Sequence, residues 1–478
     1  METKHARKKY YELPPDNESK ILGIFTKDKD FYKTFFALMF IIGLQQLAGL
    51  MVNLIDNIML GRYTELALSG ATLVNQIQFL LQQIISCVGM GIVVLASQYW
   101  GEKRTEPIKR IISMGCKIGL LIGIFFFTVA QLMPSQILSL LTSNPSILNE
   151  GLSYLKIICW TYLIFALSKT IMYSLQSVET VMIGTVMEVS TIIINICINY
   201  CLIYGNLGFP ELGIKGAAIA TLISRSVELV IIIIYMLRVD YKLSMKIKEF
   251  FIWDFYYFND YVKVATPTII SGLMWGIAQF AQSAILGHID ATTIAANSVA
   301  VIVFQVFAVF GMGCANVTSV MTGKSIGEKK FDKIRCYSKS MQGLLVIIGL
   351  VSGLLLFICR NPIIGFYKIT SEAKALAVQF MTILSLTTIG TCYEYPVESG
   401  IISGGGTTEY AAITDNLFMW LFTIPFAALS AFVWHFPPVI TFCFLKADQF
   451  LKCIPNAIKV NKFHWVQILT TKDVSSLP

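Results

Sequence analysis

Long apolar runs separated by short polar or basic stretches occupy almost all of the chain beyond residue 33. At helical length they fall at 34–60, 68–99, 112–133, 151–169, 181–204, 215–237, 261–286, 291–320, 341–359, 376–400, 409–430 and 433–445. Crossing the hydrocarbon of a bilayer takes a helix of about 20 residues, and most of these runs meet that length. Lipid offers no hydrogen-bond partner to an open backbone, so helices are the expected form. The pattern predicts an all-α polytopic membrane protein with twelve transmembrane helices. The second and eighth runs are long enough to tilt or to extend past the bilayer, and the last is short.

Composition agrees. Of 478 residues, 55% are hydrophobic and 14% charged, against about 25% charged in an ordinary soluble domain. The eleven cysteines are scattered without a CxxC pair, which fits small buried hydrophobes better than a disulfide framework. His5, His288, His435 and His464 are far apart in sequence, so a metal site or histidine-based catalysis has no support, and the reading is not an enzyme and needs no cofactor. No GxxxxGK[ST] loop is present, which counts against an ATPase.

The net charge of +8 changes the picture through its distribution. With a cytoplasmic N-terminus, GEKRTEPIKR, LRVDYKLSMKIK, GKSIGEKKFDKIRCYSK and both tails lie inside. The outer loops then hold only Arg62, Lys215, Arg360, Lys368 and Lys374. This is a positive-inside pattern with both termini cytoplasmic, and it makes nucleic acid unnecessary as a partner. The start, METKHARKKYYELPPDNESK, lacks the apolar core of a signal peptide. The expected divisions are a basic tail at 1–33, a first lobe at 34–240, a linker at 241–260, a second lobe at 261–445 and a tail at 446–478. Within the linker, SMKIKEFFIWDFYYF (244–258) interleaves lysines and aromatics and reads as an interfacial amphipathic helix on the inner surface.

A faint repeat joins the halves. Ile58-Met59-Leu60-Gly61 matches Ala284-Ile285-Leu286-Gly287, and Gly101-Glu102-Lys103 matches Gly327-Glu328-Lys329, both 226 residues apart. Gly-Met-Gly recurs at 89–91 and 311–313. Two pseudo-symmetric six-helix bundles around a central cavity suit alternating access, and so a secondary transporter.

LIDNIMLGRYTELALSGATLVNQI, GIVVLASQYWGEKRTEPIKRI and GTVMEVSTIIINICINYCLIYG with GIKGAAIATLISR resemble the multidrug and toxic compound extrusion (MATE) family. In the second half AILGHIDATTIAANSVA, MTGKSIGEKKFDKI and GIISGGGTT add to the match. The resemblance implies twelve helices in two bundles and export of organic, often cationic or amphipathic, compounds in exchange for H⁺ or Na⁺. The wider superfamily includes lipid-linked oligosaccharide flippases, so a flippase or a dedicated metabolite exporter is the alternative. The setting is a bacterial inner or plasma membrane, with small organic molecules and membrane lipids as partners and a monomer as the expected state.

Asp56 leads the candidate ion-coupling residues, because it matches the first-helix aspartate of the family through Ile55–Gly61. A carboxylate in a cavity of reduced polarity can take up H⁺ or Na⁺. Asn195 and Asn199 share a helix face at i, i+4. One branch of the family has Asn and Asp in an N-I-x-x-D arrangement, and here Asn199 stands where that branch has the acid. Na⁺ at Asp56, Asn195 and Asn199 is one option; Asn cannot itself titrate. Glu188, two turns before Asn195, is another acid. Pro267 to Gly287 holds no acid, where some cation-coupled relatives have one, and offers Gln279 and Gln282 instead. Glu394 and Glu398 lie four apart around a kinking Pro396; Cys392 occupies the place of those relatives' acid.

Tyr162, Trp275 and Tyr393, with Gln279 and Gln282, are the candidate substrate-cavity residues, and Tyr395 and Trp420 are further aromatics for stacking on a cation. The remaining features read as structural. Arg225 and Glu228 form an i, i+3 ion pair, Lys169 sits at the inner mouth, and Asp415 caps its helix or lines the cavity. Gly115, Gly119 and Gly123 permit close helix packing, and Gly404-Gly405-Gly406 is a flexible inner connector.

Overall fold

The computed structural model describes residues 25–142, 144–365, 367 and 370–470; residues 1–24 of the basic tail, 143, 366, Lys368, 369 and residues 471–478 lie outside it. The helices are α1 (Lys29–Tyr63), α2 (Glu65–Gly101), α3 (Thr105–Leu132), α4 (Pro134–Ser139), α5 (Pro145–Ile158), α6 (Trp160–Ser177), α7 (Met182–Tyr204), α8 (Ile214–Ile234) and α9 (Ile247–Phe250). They continue with α10 (Phe255–Gly287), α11 (Ala291–Gly327), α12 (Phe331–Gly365), α13 (Ser371–Tyr395), α14 (Thr408–Phe418), α15 (Ile424–Phe432), α16 (Pro438–Lys446), α17 (Asp448–Leu451) and α18 (Cys453–Asn461).

Among the described residues ten helices are long and apolar enough to cross a membrane, and α5 with α6, bent by 50°, makes an eleventh. The expected all-α polytopic architecture is present. The expected fourth span, 151–169, is this broken pair: the helix bends at Cys159. The twelfth, 433–445, is realised as the nine-residue α16, which runs on through α17 and α18 with breaks at Ala447 and Lys452.

The chain divides into two compact units, one of residues 1–43, 93–104 and 262–478 and the other of 44–92 and 105–261. In the second unit Leu81, Ile85, Tyr154, Ile158, Tyr162 and Ala166 centre one apolar core. The glycines of α3 allow close packing there, since a Cβ on Gly119 would meet Thr170 Oγ1 at 2.7 Å. In the first unit Phe380 and Phe442 stack at 4.1 Å in the core.

The repeat is visible in how two helices end. Lys103 and Lys329 both take positive φ, 61° and 55°. Glu102 N donates to Gln98 O and Arg104 N to Tyr99 O; 226 residues on, Glu328 N donates to Lys324 O and Lys330 N to Ser325 O. Glu102 pairs with Arg104 as Glu328 pairs with Lys330. Each end satisfies its last carbonyls through a left-handed residue. The two ends also touch: a Cβ on Gly101 would lie 2.2 Å from Lys324 O, and one on Gly327 would lie 1.9 Å from Gln98 O. Backbone cannot yield as a side chain does. Gly327→Val is expected to cost about 1–3 kcal/mol, read as a fall in thermal stability of the detergent-solubilised protein; an unchanged midpoint would mean the ends need not meet.

Residues 244–258 do not form the expected continuous amphipathic helix. Only the single turn α9 is helical before α10 begins. Ser113 Oγ of α3 donates to Phe250 O and Ile252 O, and Lys117 Nζ to Ile252 O, so these carbonyls are satisfied by side chains and not by a further helical turn. Ahead of α1, Thr26 N donates to Ser340 Oγ at 2.8 Å, and Asp28 accepts from Tyr337 OH at 2.6 Å and Lys333 Nζ at 3.0 Å. Tyr337 and then Lys333 hold the Asp28 carboxyl down at about 2, from 3.8. This tie contributes fully above the ordinary carboxylate range and is lost only as pH falls toward about 2.

The glycine run 404–406 is a close-approach site and not a loose connector. A Cβ on Gly405 would sit 2.2 Å from the Trp465 ring, and Gly406 has φ +97°. Nor is the C-terminal segment free. Trp465 is fully buried and its Nε1 donates to Val460 O. Gln467 N donates to Gly405 O, and Thr407 Oγ1 to Trp465 O. The Gln98 side chain pairs with this strap as a strand would: Nε2 donates to Gln467 O at 3.2 Å, and Oε1 accepts from Leu469 N at 2.9 Å.

Candidate functional site

Asp56 lies two turns before the end of α1 and is 7% exposed. The α7–α8 hairpin brings it company: Gly205, with φ +68°, ends α7 in the left-handed conformation, and Leu212 N donates back to Leu202 O. Asn195 and Asn199 on α7 and Thr221 on α8 then face the carboxylate. Asn199 Nδ2 donates to Asp56 Oδ1 at 2.5 Å and to Asn195 Oδ1 at 2.9 Å. Asn195 Nδ2 donates to Thr221 Oγ1 at 3.3 Å, and Thr221 Oγ1 to Asp56 Oδ2 at 3.4 Å. Four side chains thus close a buried ring with one ionisable member. Among the described residues Asn199 Oδ1 is buried there without a partner, so the ring has acceptor capacity to spare for a proton-bearing or cationic guest. The sequence pattern named three of its members; Thr221 was missed because a threonine in an apolar helix usually bonds its own backbone.

Glu188 does not join that ring. It pairs with Lys169 of α6, while Arg225 Nη1 stands 3.9 Å from Glu188 Oε2 and 2.5 Å from Glu228 Oε2. Lys169 Nζ is 3.7 Å from Glu228 Oε1, which also accepts from Ser168. The cations lie 5.7 and 5.5 Å from the Phe165 ring. Two acids meet two bases, so this network is balanced. The i, i+3 pair of Arg225 and Glu228 is present as expected, whereas Lys169, read as a mouth residue, is a member of the network with a side chain only 13% exposed.

A second, unbalanced cluster occupies the other unit. Beyond Tyr395 the helix widens into a π-helical turn, Pro396–Ile402, so Glu394 and Glu398 are carried on one continuous run that ends just past the expected bound at Gly400. Glu394 and Glu398 are both buried. Lys452 Nζ lies 2.8 Å from Asp415 Oδ1, 3.3 Å from Asp448 Oδ2 and 3.6 Å from Glu394 Oε1. Glu398 Oε2 accepts from Asn456 Nδ2 at 2.7 Å, one turn after Lys452. Ser271 Oγ of α10 donates to Asp415 Oδ2 at 3.3 Å. Among the described residues, three carboxyl groups therefore touch one ammonium and a fourth, Glu398, lies close by. Asp415 does not cap its helix; it is a ligand of Lys452. Lys452, Asp448 and Asn456 were missed because the sequence assigned them to a tail, although Asp448 and Lys452 carry the i, i+4 spacing of a helical ion pair.

The expected cavity residues separate. Tyr162 is fully buried in the apolar core, its hydroxyl unpartnered among the described residues, so it lines no open cavity in this structure. Tyr393 OH donates to Gln342 Oε1 at 2.8 Å, tying α13 to α12. Trp275 is half-buried on α10. Gln279 and Gln282 do border a cavity of about 80 Å³, together with Lys446.

Comparison with known proteins follows the same outline. A "Probable multidrug resistance protein NorM" of Listeria monocytogenes is 23% identical over 92% of this chain and 97% of its own. Another from Halalkalibacterium halodurans is 22% identical over 84% and 87%. Among solved structures, the Vibrio cholerae MATE transporter VcmN in the bent form superposes with TM-score 0.80 at 17% identity, over 91% of this chain and 97% of that one. A MOP superfamily transporter from Pyrococcus furiosus Vc1 gives 0.83 at 16% identity, over 92% and 98%. The MatE family model matches residues 42–201 and 267–429, which takes in Asp56 with its two asparagines and Glu394, Glu398 and Asp415, so the chain belongs to the MatE family.

Proposed function

We propose that the protein is a secondary antiporter that exports small organic compounds in exchange for H⁺ or Na⁺ by alternating access. The observation that carries this reading is the ring around Asp56, one buried carboxylate whose hydrogen-bond partners among the described residues are all neutral side chains. Such a group changes net charge when it takes up H⁺ or Na⁺, and a charge change in a buried ring biases one packing of the helices over another. An organic cation competing for the same carboxylate makes the exchange obligatory.

The Lys452 cluster supports a second ion step. Four acids and one ammonium cannot all be charged in a buried place without a large uncompensated negative charge, so protons or a cation complete the balance. The balanced network of Lys169, Glu188, Arg225 and Glu228 has no such need, which moves Glu188 from coupling to structure in this account. The multidrug resistance names of the relatives support a broad range of amphipathic substrates. The charge asymmetry of the loops supports cytoplasmic termini, so that substrate enters from the cytoplasm or inner leaflet and leaves outside.

The test is efflux of ethidium from proteoliposomes under an imposed proton gradient and, separately, a sodium gradient. Flux driven by one of them and absent from protein-free vesicles is expected. Absence under both would replace multidrug export by a dedicated metabolite or lipid-linked substrate.

A further inference from the structure

Two lysines six residues apart in the broken last span have opposite surroundings. Lys452 has three carboxylates within 4 Å. Lys446, in the last turn of α16, has none among the described residues. Its Nζ donates to Gln282 Oε1 at 3.4 Å and lies 5.8 Å from the centre of the Phe442 ring. The nearby Asp448 is already committed to Lys452.

The Lys446 side chain borders the cavity of about 80 Å³, with Gln279, Gln282 and Ser283 of α10 and Asn297 of α11 on the other walls. Among the described residues Gln282 Nε2 donates only to Met419 Sδ, at 3.3 Å, and sulfur is a weak acceptor. Among the described residues the side chains of Gln279, Ser283 and Asn297 make no hydrogen bond at all. The walls therefore present one ammonium, three amides and a hydroxyl that can each donate or accept, and no carboxylate. A Lys in such a place is the reverse of a cation site: among the described residues the ammonium is the one charged group on the walls.

We propose that this cavity binds a small monovalent anion, either a halide or the carboxylate group of an exported compound. Size sets the limit. A water-sized guest needs about 10–15 Å³, whereas a whole drug-sized ligand needs about 300–1,000 Å³. The cavity takes a functional group and its waters, so a carboxylate-bearing substrate inserts its anionic end beside Lys446. Charge-assisted hydrogen bonds from the ammonium supply the strong contact, and the amides and Ser283 fill the remaining lone pairs. Anion binding stands on this geometry alone; only its use for a substrate rests on the export reading.

The test uses crystals of the full chain soaked in sodium bromide or in sodium 4-bromobenzoate, with the bromine located by anomalous scattering. Density for bromide at Lys446, or for benzoate with its carboxylate there, is expected in the wild type and absent in Lys446→Gln, while Lys446→Arg retains it. In solution, bromide affinity is expected to fall about tenfold or more in Lys446→Gln. Bromide density alone assigns an inorganic anion; benzoate density, with export of carboxylate compounds lost in Lys446→Gln and retained in Lys446→Arg, assigns a substrate group. If Lys446→Gln does not fold, Gln279→Leu and Asn297→Leu carry the comparison, each weakening bromide binding about threefold or more. Density for neither anion in the wild type overturns the proposal, as does equal binding in the variants. Either result leaves the ethidium assay of the export reading untouched.

Discussion

Lys452→Met is expected to destabilise the protein by about 3–5 kcal/mol, the range for removing one partner of a buried ion pair. The ammonium is the only cation within 4 Å of Asp415, Asp448 and Glu394 among the described residues. Methionine matches its length and fills its space, so lost packing contributes little and the effect isolates charge. Without the ammonium the acids must be held neutral or repel one another. Single neutralisations on the acid side behave differently. Glu394→Gln or Asp448→Asn leaves Lys452 with two carboxylates and relieves the excess, so each costs less than about 1 kcal/mol or stabilises. Thermal unfolding in detergent reads both arms. A Lys452→Met protein as stable as Glu394→Gln contradicts the picture of one cation balancing several acids.

Trp465→Ala is the second large effect, at about 3–5 kcal/mol for a buried tryptophan truncated to a methyl. Its ring fills the space left by the missing side chain of Gly405, its Nε1 binds Val460 O, and its carbonyl accepts from Thr407. Removing it leaves a cavity and frees the strap that Gln98 holds through two backbone bonds. Gln98→Leu cuts the same strap from the other side and is expected to cost about 1–3 kcal/mol. The check is thermal unfolding together with limited proteolysis beyond residue 461. A tail that stays protease-resistant in Trp465→Ala, with an unchanged unfolding midpoint, shows that the strap is held elsewhere.

What the sequence revealed was local and periodic. Apolar runs announced the helices, and the two GEK turns announced the repeat, because each needs only neighbouring residues to read. Asp56 stood out as the one acid in a long apolar run, and Asn195 and Asn199 as an i, i+4 pair on one face. The partners of these groups were harder to see. Thr221 comes from another helix and carries no charge to mark it. Glu188, which the spacing put on the face of Asn195, is drawn away by Lys169 and Arg225 from two other helices. Lys452 and Asp448 lie in a span broken at Ala447 and Lys452, too short in each piece to register as a crossing helix. Gly405 read as flexible because a glycine run looks the same whether it bends freely or admits a tryptophan ring from 60 residues away.

The most direct measurement compares wild type with Asp56→Asn for ethidium efflux from proteoliposomes under separate proton and sodium gradients. Asparagine keeps the shape of the side chain and can stay within the ring of Asn199, Asn195 and Thr221, but it can neither take up a proton nor hold a cation by charge. Gradient-driven flux is expected in the wild type and reduced at least about tenfold in Asp56→Asn, a loss of about 1.4 kcal/mol or more in driving the cycle. Flux that survives Asp56→Asn at the wild-type rate contradicts the assignment of the coupling ion to Asp56 and transfers it to the Lys452 cluster.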